Sequence, residues 1–327
     1  MQENTKTTEK PRILVLSSAE TDEYIPLNDA FIEQLRNSLD ERAEIEWHNY
    51  HDIRIDFRQG STKVWLAESG MELKEFDFVY YKSFFRYSEL AGVIAAYLDR
   101  NNVKYVCSEL RGHIPLTKLS QLSRLSLANL PIARTVFMLH DQWASEFSRI
   151  SNSLKIPFIF KSTDGSAGDE NYLIRSEEEF HAALVAYPDL EFVAQEFIEN
   201  DSDLRVLIMG AEIKLIIKRQ RTDPAITHLN NTSQGANAFL VPVGELNAKH
   251  QEIALRAAEV MDREIAGVDL LFELESGQPY ILEVNASPQI ASGTFTEEKL
   301  ALYSDYFVKA AREGQLHKNA INVENIA

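Results

Sequence analysis

The sequence has a single cysteine, Cys107, among its 327 residues. A disulfide framework within the chain is therefore impossible, and a zinc site with four cysteine ligands is excluded. The eight histidines show no paired spacing typical of a zinc-binding helix. No apolar run approaches the roughly 20 residues that span a bilayer, and residues 1–10 lack the apolar core of a signal peptide. We therefore expect a cytoplasmic protein without a membrane partner.

Positive charge is also scarce. Lys and Arg together number 33 against 50 for Asp and Glu, so the formal net charge is −17. Such a surface repels polyphosphate backbones, and we expect no nucleic-acid partner. Anionic small molecules can bind only where basic residues are concentrated locally. The length is sufficient for two or three compact subdomains with a sizeable core.

Short apolar strands alternate with helices in the first third of the chain. After a flexible tail at residues 1–10, this alternation predicts a small parallel α/β domain over residues 11–112. The predicted strands lie near residues 12–16, 45–47, 76–80 and 103–107, and the predicted helices span 26–40 and 88–100. Later residues predict helices at 116–129, from Ser176 with Glu179 as a capping box, and at 247–262, and strands at 136–139, 156–161 and 192–198.

Two hairpins are predicted in the second half of the chain. The first spans 204–219 and turns at residues 209–212. The second joins the apolar runs 265–274 and 279–285 through a three-residue loop with Gly277 in the left-handed conformation. That loop pairs Leu274 with Gln278 and therefore Asp269 with Glu283, whose Cβ atoms would lie roughly 5 Å apart.

The two acids of the second hairpin lie in otherwise apolar strands, where like charges are unfavourable without compensation. Asn285, two residues beyond Glu283, points to the same face. Two carboxylates and an amide oxygen form a hard-oxygen set that suits Mg²⁺ bridged to phosphate. The alternative is a solvated hairpin, because a one-residue slip in register would separate the acids.

Two further stretches could handle phosphate. Lys161 ends an apolar strand, and the small residues Gly165, Ser166 and Gly168 follow it, which would let backbone N–H groups approach phosphate oxygens. An ordinary glycine turn with a solvated lysine is the alternative. The densest basic cluster, residues 218–221, could stabilise charge on a transferred phosphoryl group or an acyl phosphate, or could be a solvated face.

The order of these motifs resembles the ATP-grasp superfamily, particularly the RimK-like carboxylate–amine ligases. The resemblance covers residues about 115 to 295. It is carried, in order, by Thr117-Lys118-Leu119, the run 157–161, the glycine loop, Gln195-Glu196-Phe197-Ile198, Asp203-Leu204-Arg205, Arg219, Asn230, Gly267-Val268-Asp269 and the run 283–288.

The resemblance implies a role for each matching residue. Lys118 and Lys161 would reach the ATP phosphates, and Glu196, Phe197 and Ile198 would form the hinge that holds adenine. Asp203 would contact the ribose, Arg205 and Arg219 would face the phosphates or the acyl phosphate, and Asn230 would lie beside the metal and the γ-phosphate. The implied metal ligands are Asp269, Glu283 and Asn285, and the implied metal is Mg²⁺, with Mn²⁺ as the alternative.

The fold implied by the resemblance is a pre-ATP-grasp α/β domain followed by a two-subdomain ATP-grasp fold. We expect a central, lid-like subdomain at 113–198, a C-terminal subdomain with the metal site at 199–312 and a tail at 313–327. Three departures from the family pattern occur: Gln289 stands where relatives often have Gly, residues 231–235 lack an arginine that RimK carries, and residues 169–171 are more acidic than usual. The first two lie where a second substrate should bind, so the resemblance does not carry over the glutamate acceptor of RimK, although ATP binding is unaffected.

We therefore expect an ATP-dependent ligase that phosphorylates a small-molecule or peptide carboxylate and joins the acyl phosphate to an amine. No protein nucleophile is needed, because positioning and charge neutralisation provide the catalysis. A small-molecule kinase on the same fold and a nucleotide-binding module without catalysis are the alternatives. Family analogy also allows a homo-oligomer.

Overall fold

The computed structural model describes residues 10–18, 24–58, 61–82, 84–112, 117–163, 170–222, 227–230, 232, 235–290 and 293–324. The chain forms two compact units. The first comprises Met1–His113, Asp262–Ile265 and Ser287–Ala327, and the second comprises Ile114–Met261 and Ala266–Ala286. Within the described ranges, no helix has both the length and the apolar character required to cross a bilayer.

The helices and strands follow one another along the chain in a mixed α/β order. They are β1 (Arg12–Ser17), α1 (Tyr24–Leu39), β2 (Glu44–Asn49), β3 (Ile53–Arg58), β4 (Ser61–Leu66), β5 (Phe78–Tyr81), α2 (Ser88–Arg100), β6 (Lys104–Val106), α3 (Lys118–Leu127), β7 (Thr135–Phe137), α4 (Phe147–Leu154), β8 (Phe158–Ser162), β9 (Asn171–Ile174), α5 (Glu177–Ala186), β10 (Phe192–Glu196), β11 (Ser202–Met209), β12 (Glu212–Gln220), β13 (Asn237–Val241), α6 (Ala248–Val260), β14 (Ile265–Phe272), β15 (Pro279–Asn285) and α7 (Thr296–Glu324).

The first unit is built on a parallel sheet with strand order β2-β1-β5-β6. All four residues of β5 are buried, as expected for a parallel strand that is covered on both faces. Helix α7 packs aromatic rings onto this strand: the Phe307 ring centroid lies 5.4 Å from that of Phe78 and 4.9 Å from that of Tyr80. The parallel α/β domain predicted from the alternating pattern is therefore present.

Residues 313–324, expected as a tail, instead continue helix α7. Tertiary contacts hold this extension in place. The Nζ of Lys318 donates to the backbone oxygen of Lys74 at 2.8 Å and lies 3.6 Å from the carboxylate of Asp77. Glu313 forms an ion pair with Lys104.

The second unit contains two antiparallel sheets. The four-stranded sheet has the order β7-β10-β8-β9, and it packs on α4 and α5 through a core rich in aromatic rings. The rings of Phe160 and Phe192, on neighbouring strands, stack with centroids 4.5 Å apart. Because β8 and β10 are firmly packed, the polar residues at their ends have fixed positions.

The five-stranded sheet has the order β13-β12-β11-β14-β15 and packs on α6. Strands β11 and β12 form the predicted hairpin, with Gly210 at φ +65° in the two-residue connection between Met209 and Glu212. Strand β14 lies next to β11, although about sixty residues separate them along the chain. This non-local neighbour relation determines the composition of the site.

Some local predictions were wrong or incomplete. The pattern did not indicate the hairpin of β3 and β4, strands β9 and β13, or helices α4 and α7. At α5, the Ser176 side chain accepts from the Glu179 backbone N–H at 3.3 Å, as predicted, but the Glu179 carboxylate accepts from Arg175 N at 2.7 Å and does not complete the box. The division of the ATP-grasp fold at residue 198 stays a prediction.

Candidate active site

Asp269 on β14 and Glu283 on β15 are directly opposite one another. The predicted pairing is therefore present, but the predicted turn is not. The Glu273 backbone N–H donates to the Gln278 oxygen at 3.0 Å, so Glu273, and not Leu274, faces Gln278. Gly277 has φ +69°, as the loop required.

A β-bulge restores the pairing of the two acids. From Phe272 to Leu270 the partners are Pro279 to Ile281, and the register then shifts so that Leu282 has no opposite residue. Without this bulge Asp269 would face Leu282, and Glu283 would point to the other side of the sheet. Bulges commonly redirect side chains next to functional sites.

Two arginines form ion pairs with Asp269. Arg205 on β11 donates from Nε to Oδ1 at 2.8 Å and from Nη2 to Oδ2 at 2.7 Å, and Arg219 Nη2 lies 3.0 Å from Oδ2. Arg219 also donates from Nε to Asp203 Oδ1 at 2.6 Å. The side chains of Asp203, Arg219 and Asp269 are at most 7% exposed. We call Asp203, Arg205, Arg219 and Asp269 the ion-pair cluster; its two positive and two negative charges balance.

Burial is the largest influence on both carboxylates of the ion-pair cluster, but the outcome differs. Burial raises the pKa of Asp203 to about 6, because its bond to Arg219 and the charge of Arg205 do not compensate for lost solvation and for the neighbouring Asp269. For Asp269 the same burial is outweighed by Arg205 and Arg219, and its pKa is lowered. The structure therefore brings the three predicted site residues Asp203, Arg205 and Arg219 into one buried network around Asp269.

Two lysines meet at the end of β8. Lys118 begins helix α3 behind the N-cap Thr117, and its Nζ donates to the Ser162 backbone oxygen at 3.2 Å. The Nζ of Lys161 donates to Gln195 Oε1 at 3.0 Å. Burial lowers the pKa of Lys161 to about 8; Lys118 adds to this effect and the negative charge of Glu283 opposes it. Lys118, Lys161 and Glu283 are thus near neighbours.

The predicted hinge, residues 196–198, begins at the last residue of β10. The Glu196 backbone N–H donates to the Arg134 oxygen at 2.8 Å. The Ile198 side chain is buried against Ala133 and Leu271, and its backbone oxygen accepts from Asn200 Nδ2 at 2.8 Å. Gly165, Ser166 and Gly168 of the glycine loop lie outside the described residues.

Asn230 belongs to a polar cluster that the sequence reasoning did not identify; we call Asn200, Arg221 and Asn230 the clasp. Arg221 Nη1 donates to Asn200 Oδ1 at 2.9 Å and to Asn230 Oδ1 at 3.0 Å, and its Nη2 donates to the Asn200 backbone oxygen. Asn230 Nδ2 donates to Asn200 Oδ1 at 2.9 Å. Asn200 and Asn230 are buried. The sequence signal that could have identified this cluster is Arg221 itself, which stands two residues after Arg219 in the same basic run.

His228, which the sequence reasoning also missed, joins the same loop to the four-stranded sheet. Its Nε2 lies 3.0 Å from Asn171 Oδ1 on β9. Burial lowers its pKa to about 4, and the charges of Arg175 and Arg221 add to this effect. Its imidazole is therefore neutral at physiological pH, and Nε2 is the donor to Asn171.

The donor set fits Mg²⁺ held jointly with phosphate. Asp269 and Glu283 face each other, and Asn285, paired with Gly267, lies one strand repeat further on. Asp269 accepts two N–H groups at Oδ2 and one at Oδ1, so Oδ1 keeps a second lone-pair direction for a metal. Among the residues that the structure describes, no group of three or more His, Cys, Asp or Glu side chains could hold a metal by itself. An ion here would therefore need amide and phosphate oxygens as well.

Comparisons with known proteins agree with this architecture. A model of the RimK-like ATP-grasp domain matches residues 118–300, more than half of the chain. A probable alpha-L-glutamate ligase of Cellvibrio japonicus is 30% identical over 175 residues, covering 52% of this chain and 55% of that protein. The probable alpha-L-glutamate ligase 2 of Shewanella baltica is 26% identical over 315 residues, covering 88% and 93%.

Solved structures share the fold at low sequence identity. The ATP-grasp ligase PsnB, complexed with a phosphomimetic variant of its minimal precursor, Mg and ADP, superposes with a TM-score of 0.67 at 15% identity, covering 91% of this chain and 98% of PsnB. D-alanine–D-alanine ligase from Bacillus anthracis, complexed with ATP, gives a TM-score of 0.68 at 16% identity, covering 94% and 99%. The fold class predicted from the motifs is confirmed.

Proposed function

Because the chain belongs to the RimK-like ATP-grasp family, we propose that it is an ADP-forming ligase that activates a carboxylate with ATP and joins it to an amine. One observation carries the proposal: Asp269 and Glu283 face each other across β14 and β15. The negative charge of Glu283 also opposes the lowering of the Lys161 pKa by burial, which supports a position near that lysine. The five-stranded sheet thus contributes the carboxylates and the four-stranded sheet contributes Lys161, which supports a shared site for a metal and phosphate.

The reaction has two steps on the substrates. A carboxylate oxygen attacks the γ-phosphorus of ATP, which forms an acyl phosphate and releases ADP. An amine then attacks the acyl carbon, phosphate leaves, and the amine loses a proton. Asp269, Glu283 and Asn285 would hold Mg²⁺, which when bound neutralises charge on the phosphate oxygens.

The residues of this chain contribute positioning and charge. Lys118 and Lys161 bind phosphate oxygens, and the hinge at 196–198 binds adenine through backbone groups. Arg205 and Arg219 lie beside the metal ligand Asp269 and direct it by the 2.8 Å, 2.7 Å and 3.0 Å bonds described above. Partners that hold a ligating carboxylate in place commonly matter for activity almost as much as the ligand itself. Asn230 donates an amide N–H near the γ-phosphate.

The substrates are proposed as a class. Relatives bear the name of probable alpha-L-glutamate ligases, and similar structures include PsnB complexed with the precursor peptide PsnA2. A peptide or small-molecule carboxylate and an amine are consistent with both. The pools of candidate carboxylates used to test the proposal should therefore contain free amino acids, dicarboxylic acids and short acidic peptides.

Hydroxylamine trapping tests the proposal. Protein, Mg-ATP and hydroxylamine are incubated with each pool of carboxylates, and ADP and hydroxamates are measured. We expect both products in equal amounts with at least one pool, because hydroxylamine intercepts an acyl phosphate. Glu283→Gln serves as the matched control and should form neither. A stable phosphorylated product without hydroxamate would indicate a kinase instead, and absence of turnover with every pool would refute the proposal.

A further inference from the structure

The clasp joins three separate segments of the second unit. Asn200 lies between the hinge and β11, Arg221 follows β12, and Asn230 lies in the segment before β13. Through Asn200 the clasp also reaches the hinge, because Asn200 Nδ2 donates to the Ile198 backbone oxygen at 2.8 Å. A continuous set of hydrogen bonds therefore runs from the hinge backbone to the Asn230 side chain.

The chemistry of the clasp indicates orientation and not charge neutralisation. Arg205 and Arg219 are paired with buried carboxylates, whereas the hydrogen bonds of Arg221 within the clasp go to two amide oxygens and one backbone oxygen. The planar guanidinium presents its donors in fixed directions, so it sets the relative orientation of three acceptors at once. Burial lowers the pKa of Arg221 and outweighs the opposing charges of Asp201, Asp203 and Glu199.

The orientation of the Asn230 amide follows from these bonds. Its Oδ1 faces Arg221 and one of its Nδ2 hydrogens faces Asn200, so the direction of the second Nδ2 hydrogen is fixed. We propose that Arg221 and Asn200 are positioning residues, which aim this remaining N–H at the transferred phosphoryl group and link that aim to the hinge. The inference rests on the proposed function, since it requires nucleotide at the hinge and Asn230 at the phosphates.

A double-mutant cycle tests the positioning role. Asn230→Ala is introduced into the wild type, into Arg221→Gln and into Arg256→Gln, and kcat and KM for ATP are measured by hydroxamate formation. We expect Arg221→Gln to lower kcat about ten- to a hundredfold while KM for ATP changes less than about threefold. In that background Asn230→Ala should cost no more than about a further twofold, because the two residues act as one unit.

Arg221→Lys separates geometry from charge, and Arg256→Gln is the control for general damage. Arg221→Lys should not restore kcat, because a single ammonium cannot hold both amide oxygens and the Asn200 carbonyl in fixed directions. Arg256 is exposed on α6 and pairs with Glu259 at 2.7 Å, so Arg256→Gln should keep wild-type kcat and the full cost of Asn230→Ala. Melting temperature and Mg-ADP affinity are recorded for every variant, and Asn200→Ala replaces Arg221→Gln should the latter not fold.

The possible failures are distinguishable. If the wild type forms neither ADP nor hydroxamate with any pool, the proposed function and this inference both fall. If the wild type turns over but Arg221→Lys has wild-type kcat, the role of Arg221 is its charge and the positioning role is refuted. The same conclusion holds if Asn230→Ala costs as much in Arg221→Gln as in the wild type, and in both cases the proposed function stands.

Discussion

The two sheets of the second unit hold their cations in different ways. On the five-stranded sheet, the half-buried Arg205 and the buried Arg219 pair with the buried Asp203 and Asp269, and their charges balance. On the four-stranded sheet, Lys161 donates to the neutral Gln195, and burial lowers its pKa to about 8. The charges of the arginines are thus already neutralised by carboxylates of the protein. The lysine has lost solvation, and a phosphate oxygen would compensate for that loss.

This difference assigns different tasks to the two groups. A balanced ion-pair cluster offers little net attraction to an anion, but it fixes the direction of Asp269 through a two-pronged guanidinium contact. A poorly compensated lysine gains more from an arriving phosphate than a solvated one would. Under the proposed function, we therefore expect the sheet with Lys161 to supply binding energy for phosphate, and the sheet with the arginines to supply a rigid carboxylate for the metal.

The largest expected effect comes from removing a carboxylate on either side of the β14–β15 pair. Asp269→Asn should abolish turnover and lower the free energy of unfolding by about 3–5 kcal/mol, because it removes the carboxylate that pairs with the buried Arg219 and the half-buried Arg205. Glu283→Gln should also reduce turnover by at least about a hundredfold, yet change stability by less than about 1 kcal/mol, because Glu283 is only half-buried. Denaturant unfolding and hydroxamate formation measure the two effects.

Each variant is the control for the other. An Asp269→Asn protein as stable as the wild type would show that the ion-pair cluster does not depend on that charge. An active Glu283→Gln protein would remove the metal assignment, whatever the stability of the first variant. The comparison between the two sheets requires that activity is lost in both variants and stability in only one.

A smaller effect, of opposite sign for stability, is expected at Lys161. Lys161→Met should weaken Mg-ATP binding at least about tenfold but raise the free energy of unfolding at pH 7 by about 1–2 kcal/mol, because the buried charge is removed. Lys249→Met, on the exposed face of α6, is the matched control and should change neither. Calorimetric titration and denaturant unfolding provide the measurements.

The sign of the pH dependence follows from the lowered pKa of Lys161. Between pH 8 and its ordinary value of 10.5 the folded protein has lost this proton while the unfolded chain retains it. Its contribution to stability therefore rises as pH increases through this window. Phosphate binding requires the charged form, so nucleotide affinity should fall about tenfold per pH unit above 8. An unchanged affinity between pH 7 and 9.5 would contradict the role of Lys161.

Local sequence patterns predicted much of this site, and non-local pairing decided the rest. The apolar runs and Gly277 indicated the second hairpin, and the facing of Asp269 and Glu283 was predicted correctly. The reason given for it was wrong, because the turn is one residue out of the predicted register and the bulge at Leu282 corrects it. A single sequence carries no pattern that marks the position of such a bulge.

The ion-pair cluster could not be predicted from spacing. Arg205 and Asp269 are 64 residues apart, and they meet only because β11 lies beside β14 in the sheet. The family resemblance identified both arginines as site residues. It implied, however, that they face the phosphates or the acyl phosphate, and that Asp203 contacts the ribose. Those assignments concern the nucleotide-bound protein and stay predictions, whereas the contacts described here belong to the protein alone.

The smallest effect expected is at Asp203, where the balance within the ion-pair cluster is least favourable. Its pKa is raised from 3.8 to about 6, so between these values the folded protein holds a proton that the unfolded chain has released. The stability of the wild type relative to Asp203→Asn should therefore fall as pH increases from 4.5 to about 6, and then stay level. Denaturant unfolding of both proteins at half-unit pH steps measures this difference. A difference that rises over the same interval would mean that the Arg219 pair outweighs burial, and the contrast drawn between Asp203 and Asp269 would be wrong.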